Sequence, residues 1–482
     1  MIRSALGAIV LALSMLAPSG AQAPAGGIAL VPCDVRGAAA RCGTLTVFEN
    51  RGARAGRTID LKVVVLDATG TPVGDPIFWL TGGPGSAATG SAAGLARWSD
   101  LGERHDIVMV DQRGTGASNP LECRFYDPED PQQYLGDFLP LDRVRACRAE
   151  LETRADLRLY TTTIAADDLD DVRAALGYER IIVQGSSYGT RVALVYARRH
   201  PSRVGRIVLT GVVPTFYHQP VAYATESQKA LDGLFADCEA DAACARAFPD
   251  PGDEFAAVLA RVTRGPVRAG TLMEGAVAHP LTLSLGAFAE TVRYMLYTPF
   301  DAAELPAHIH AAFEGDFLPF ARQLLARRRG LASVFDGMFL SVSCAEDVPG
   351  HDRAAAKASV GTTFLGGYRV RQQADACELW PAGDLPPDFF GPVRSAAPAL
   401  LLSGQYDPVT GPTWGDTAAR DLPNSRHVVV PHGGHGFSGL ENAGCVNTIM
   451  KAFVDGTAPA NLDVSCVATI RRPPFPTSLR AR

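Results

Sequence analysis

The chain has 482 residues, 47 % of them hydrophobic and 20 % charged, with a formal net charge of −6. That balance is an ordinary globular one and excludes both a wholly disordered chain and a polytopic membrane protein. No Lys/Arg run is dense enough to neutralise a row of phosphates, so nucleic acid is not an expected partner.

The first segment, MIRSALGAIVLALSMLAPSGAQA, sets an Arg ahead of a short apolar run and ends in Ala21-Gln22-Ala23. This is the order of a secretory signal peptide over residues 1–23, cleaved after Ala23. The run from Ala5 to Ala17 is too short for a stable membrane span, and no Cys stands at the cleavage point to take a lipid. The expectation is an exported protein, periplasmic or secreted, with no stable membrane anchor. Ten cysteines follow the cleavage point, none in C-x-x-C spacing, and an even count in an oxidising compartment suggests disulfides. The pairs nearest along the chain are Cys33 with Cys42, Cys123 with Cys147, Cys238 with Cys244, Cys344 with Cys377, and Cys445 with Cys466. Chain order alone leaves that connectivity open.

From about residue 44 to 213, strand-like and helix-like patterns take turns. LTVF and TIDLKVVVLDA read as opening strands, PIFWL and DIVMVD as short buried ones, and DDLDDVRAALG as a helix closed by Gly177. Then come the strand IIVQG, the helix YGTRVALVYARRH ended by Pro201, and the strand RIVLTG. Such alternation predicts an α/β fold, a mostly parallel sheet flanked by helices on both faces. Between 214 and 395 the rhythm is lost, and stretches such as SQKALDGLFADCEA and LPFARQLLARRRGLASVF carry helical apolar spacing. It returns over 396–482 in PALLLSG, a helix near TWGDTAARDL, RHVVVPHGG and CVNTIMKAFVDG. The economical organisation is one α/β domain, residues 24–213 and 396–482, interrupted by a helical insertion at 214–395.

Gly185-Ser186-Ser187-Tyr188-Gly189 fits G-x-S-x-G, between an apolar strand and a helix. A nucleophile at such a sharp turn sits in a strained backbone conformation with no room for large neighbours, which accounts for the small flanking residues. A serine hydroxyl needs a base, and the base needs an orienting acid. In this kind of fold the chain order is Ser, then Asp or Glu, then His. Asp407 leaves the strand PALLLSG, and His432 and His435 follow RHVVV, so all three loops exit on one side of a parallel sheet. Ser187 is the expected nucleophile, His435 the base and Asp407 the acid. His432 is the alternative base, and Asp416 and Asp421 are the alternative acids. HGGH has no acidic cluster beside it at metal-ligand spacing, so neither zinc nor any other cofactor is implied.

The glycine-rich loop in FWLTGGPGSAATG offers backbone donors for a developing oxyanion, and Gly83 N–H and Tyr188 N–H are the expected pair, since Pro84 has no N–H. The same loop fits G-x-G-x-x-A from Gly83 to Ala88, with Asp111 ending the next strand, which is the pattern of a dinucleotide site. That reading leaves Ser187, Asp407 and His435 unexplained.

With GGPG, DQRGTGAS, GSSYGT, the late Asp and the late GGHG in order, the chain resembles the prolyl and tripeptidyl aminopeptidase (TAP-like) branch of the α/β-hydrolases. The resemblance implies an α/β-hydrolase fold with an inserted helical cap, and a triad of Ser187, Asp407 and His435. Asp111 and Arg113 would order loops. It departs at Thr81, where many prolyl iminopeptidases carry His before Gly-Gly-Pro, and so leans toward the tripeptidyl-type relatives. The implied activity is release of amino-terminal residues or short peptides from substrates with a free N-terminus, with a carboxylesterase as the alternative. Such a substrate needs a carboxylate to meet its ammonium. Glu346 and Asp347 in SVSCAEDVPG are the candidates, unless they form a solvated acidic turn, and Glu226 is a weaker one.

Overall fold

The computed structural model describes residues 27–98, 100–330, 334–350 and 361–479; the expected signal peptide lies outside the described residues. Nine strands form one sheet: β1 (Val31–Val35), β2 (Ala38–Phe48), β3 (Thr58–Leu66), β4 (Ile77–Leu80), β5 (Ile107–Val110), β6 (Ile181–Ser186), β7 (Val204–Thr210), β10 (Ala399–Gly404) and β11 (Ser425–Val430). Their spatial order is β1-β2-β3-β5-β4-β6-β7-β10-β11. The first three pair antiparallel, β3 pairs antiparallel with β5, and from β5 to β11 every pairing is parallel. Every residue of β5 and β10 is buried, the mark of parallel strands covered on both faces.

Helices Thr162–Ala175 and Tyr188–Arg199 cover one face, sealing a core that contains Leu169, Val183, Leu194 and Ile207. Helices Ala92–Trp98 and Gly444–Val454 cover the other, over Val208, Leu402, Ile449 and Phe453. Register aligns the carboxyl ends of the strands. Leu80 lies opposite Gly185, Ser186 opposite Thr210, and Gly404 opposite Val430.

After β7 the chain runs through the helices Gln219–Ala240, Ala242–Ala247 and Pro251–Thr263, then Leu285–Met295, Pro299–Phe313 and Leu318–Gly330. They enclose a core of their own that includes Leu234, Phe255, Phe288, Phe320 and Leu324. The segment is not purely helical. A hairpin of β8 (Val267–Glu274) and β9 (Val277–Leu283) turns at Gly275, whose φ of +60° suits glycine. The helix Asp336–Val342 packs Met338, Phe339 and Leu340 into the core beneath the sheet rather than into that of the insertion.

All five nearest-neighbour cysteine pairs are bridged. Among the described residues no helix is long and apolar enough to cross a membrane.

Candidate active site

Ser187 stands between the end of β6 and the helix Tyr188–Arg199, with φ +56° and ψ −127°. A non-glycine residue there costs on the order of 1 to 3 kcal/mol, so its surroundings must hold it. Its N–H donates to Thr210 O at 2.8 Å, and its carbonyl accepts from Thr190 N at 2.8 Å and from Thr190 Oγ1 at 2.6 Å. The flanking glycines answer to close approach. A Cβ on Gly185 would lie 2.3 Å from Gly189 O, and one on Gly189 would lie 2.3 Å from Leu80 O. The turn therefore projects the Ser187 side chain past the sheet's carboxyl edge, at the positive end of the following helix.

Asp407 lies just beyond β10 and is 2 % exposed. Oδ1 accepts from Val409 N at 2.9 Å and Thr410 N at 2.8 Å, while Oδ2 accepts from Thr410 Oγ1 at 2.7 Å. His435 Nδ1 lies 2.8 Å from the same Oδ2, which fixes the imidazole of a residue that also lines the cavity. Burial opposes the charge of Asp407, but His435 and these donors together hold its carboxyl below the ordinary aspartate value. Thr410 Oγ1 is also 3.2 Å from His435 Nδ1, so one hydroxyl braces both partners.

A cavity of about 300 Å³ lies against this edge, and Ser187, His435, Thr410, Gly83, Tyr297 and Asp336 are among its walls. Tyr188 opens its helix, so its N–H has no intrahelical acceptor. The Gly83 loop closes on itself through Ser86 N–H to Gly82 O at 3.3 Å and Thr81 Oγ1 to Ser86 O at 2.9 Å. Thr81 thus braces its own loop. Tyr297 comes from the insertion; its ring meets that of His435 edge-on, centroids 5.1 Å apart, and its carbonyl accepts Gly436 N–H at 2.9 Å. A Cβ on Gly434 would lie 2.6 Å from that carbonyl, which explains a glycine in this loop.

Glu346 and Asp347, the expected partners of the substrate amine, lie outside this cavity. Both are 0 % exposed in a π-helical turn, Ser343–Asp347, beneath the helix Tyr188–Arg199, and neither lines the cavity. Asp347 Oδ1 is 2.9 Å from Arg191 Nη2 and Glu346 Oε2 is 3.4 Å from Arg191 Nη1, while Thr162 donates to Glu346 through N–H and Oγ1 at 2.6 and 2.7 Å. Burial pushes Glu346 up to about 7 despite Arg191, and raises Asp347 as well. Glu226 is 7 % exposed, pairs with Lys229 at 3.2 Å and lies against Gly411, also outside the cavity.

The remaining alternatives have other partners. His432 Nδ1 is 2.8 Å from Asp237, Asp416 is 2.8 Å from His427, and Asp421 is 3.3 Å from Arg394. Asp111 is buried and accepts from Thr89 N, Thr89 Oγ1 and Ala117 N at 3.0 to 3.1 Å, so its oxygens order the loops around it rather than facing a ribose. Arg113 is 0 % exposed and forks onto Asp168 at 2.6 and 2.9 Å. Reading the sequence missed Thr410 and Asp336. The run DPVT carried a signal for the first, since a hydroxyl three residues after an Asp often closes its turn.

Residues 75–245 match the family model of the α/β-hydrolase fold, and residues 362–466 match that of TAP-like proteins. The chain is 26 % identical over 463 residues to a tripeptidyl aminopeptidase of Streptomyces coelicolor, covering 88 % of this chain and 83 % of that one. It is 24 % identical over 457 residues to the serine protease Hip1 of Mycobacterium tuberculosis, covering 87 % and 86 %. A shorter stretch of 149 residues is 35 % identical to a probable proline iminopeptidase of Streptomyces coelicolor, covering 31 % and 36 %.

Proposed function

We propose that this chain, an α/β-hydrolase carrying the TAP-like segment toward its carboxyl end, is an exported serine aminopeptidase that releases N-terminal residues or short peptides. The observation that carries the reading is the 2.8 Å contact of a buried, ionised Asp407 with Nδ1 of His435, whose ring lines the same cavity as Ser187. Relatives named as a tripeptidyl aminopeptidase and a serine protease, matched over most of their lengths, support the choice of a peptide bond. Five disulfides support an oxidising destination.

Ser187 Oγ attacks the scissile carbonyl while its proton passes to His435 Nε2, and Asp407 steadies the imidazolium through Nδ1–H. The carbonyl oxygen becomes an oxyanion held by Gly83 N–H and Tyr188 N–H. As the C–N bond breaks, His435 returns the proton to the leaving amine and an acyl ester remains on Ser187. Water then attacks that ester, giving its proton to His435, and the acid product leaves as Ser187 regains its hydrogen.

The test pairs a fluorophosphonate probe with peptide anilides that are free or acetylated at the amino end, beside simple esters. Ser187→Ala is expected to lose labelling and about 10⁶ of turnover. Near-wild-type hydrolysis by that variant would remove the assignment, and hydrolysis of the simple esters without hydrolysis of either anilide by the wild type would make the enzyme a carboxylesterase.

A further inference from the structure

With Glu346, Asp347 and Glu226 outside the cavity, the recognition of a free amino terminus lacks a partner. Among the described residues that line the cavity, Asp336 is the one carboxylate. It follows Phe335, whose N–H donates to Gly85 O at 2.9 Å, so its backbone is tied to the same loop that carries the Gly83 donor. The side chain is half-buried. Burial, with the charge of Glu122 nearby, raises its carboxyl to about 7, and no hydrogen bond or cation among the described residues works the other way.

The cations around it are already engaged or at the rim. Glu290 receives Arg293 at 2.8 Å and Arg369 at 3.3 Å, and these two guanidiniums hold it below the ordinary glutamate value although burial opposes its charge. Arg327 is exposed and stacks over the rings of Tyr294 and Tyr297 at 5.2 Å. An ammonium entering this cavity would meet only like charge on that side. An unpaired buried ammonium is costly, and a carboxylate without a donor is the complementary defect.

We propose that Asp336 is the residue that receives the ammonium of the substrate's first residue. The inference rests on the aminopeptidase reading and gives it the anchor that Glu346 and Asp347 do not supply. Arrival of the ammonium favours the ionised carboxylate, so the two groups neutralise each other as the substrate displaces water from the cavity.

The measurement is kcat and KM for one peptide anilide with a free amino end and for its acetylated form, in the wild type, Asp336→Asn and Asp336→Glu. The wild type is expected to favour the free amine. In Asp336→Asn the KM for the free-amine substrate should rise about 30- to 100-fold, and the preference over the acetylated form should largely vanish. Asp336→Glu keeps the charge and should retain most of the preference. Fluorophosphonate labelling of Ser187 reports whether each variant is folded, and Asp336→Ser replaces Asp336→Asn if the latter does not label. A wild type that discriminates beside a neutral variant that discriminates equally overturns the anchor alone. A wild type indifferent to acetylation overturns the aminopeptidase reading and the anchor with it.

Discussion

Asp407 and the Glu346-Asp347 pair are buried to nearly the same degree, 2 % against 0 % exposed, yet their surroundings treat negative charge in opposite ways. Around Asp407, two backbone N–H groups, a hydroxyl and an imidazole converge, and its carboxyl is held below the ordinary value despite burial. The other two carboxylates share Arg191, and burial wins, so both rise. Location explains the contrast. Asp407 leaves the buried parallel strand β10 at its carboxyl end, where its own loop supplies donors and the neighbouring loop brings His435 at a cavity. Glu346 and Asp347 face inward, under the helix that follows Ser187. One carboxylate stays charged against an imidazole, and the other two hold a helix in place.

The contrast breaks most sharply at Asp407 itself. Asp407→Asn should lower turnover by about 10⁴, because the amide favours the wrong imidazole tautomer, while the melting temperature moves little; steady-state kinetics beside calorimetry check this. Arg191→Met should do the reverse. It leaves two buried carboxylates without a counter-ion and should cost about 3 to 5 kcal/mol in urea unfolding, with turnover per labelled Ser187 far less affected than in Asp407→Asn.

The pH dependence sharpens the comparison further. Glu346 has a folded value of about 7, above its unfolded one, so the wild type loses stability as pH rises from the ordinary glutamate value toward 7. Glu346→Gln lacks that titration, and its stability relative to wild type should improve by on the order of 2 to 3 kcal/mol between pH 4.5 and 7.5. Asp407 has the opposite sign. Its contribution is present above the ordinary aspartate value and lost as pH falls through its lowered one. The smallest effect is expected at Thr410→Val, which removes one hydroxyl donor from Asp407 and should lower kcat/KM roughly tenfold with no change in labelling stoichiometry.

Much of this was legible in the sequence because the relevant patterns are short and local. PIFWL, IIVQG, RIVLTG and PALLLSG are apolar runs bounded by turn residues, and the parallel strands they form carry Ser187 and Asp407 just past their ends. The cysteines likewise join their neighbours along the chain. The hairpin of β8 and β9 was harder to see. Its strands are largely exposed, β9 contains Pro280, and helical stretches surround it, so its alternation is faint. Glu346 and Asp347 misled because acidity beside a disulfide anchor says nothing about direction, and the π-helical turn aims both at Arg191. Asp336 had no motif at all. Its place in the cavity depends on the contact of Phe335 with Gly85, a pairing between distant parts of the chain that no local window contains.

Tyr297 fastens the insertion to the loop that bears His435, accepting one hydrogen bond from Gly436 N–H and making one ring contact with His435. Lifting a cover attached in this way would strip the imidazole of a supporting wall. Under the proposed aminopeptidase reading, this fastening makes the insertion one of the walls that bear on which chains reach Ser187.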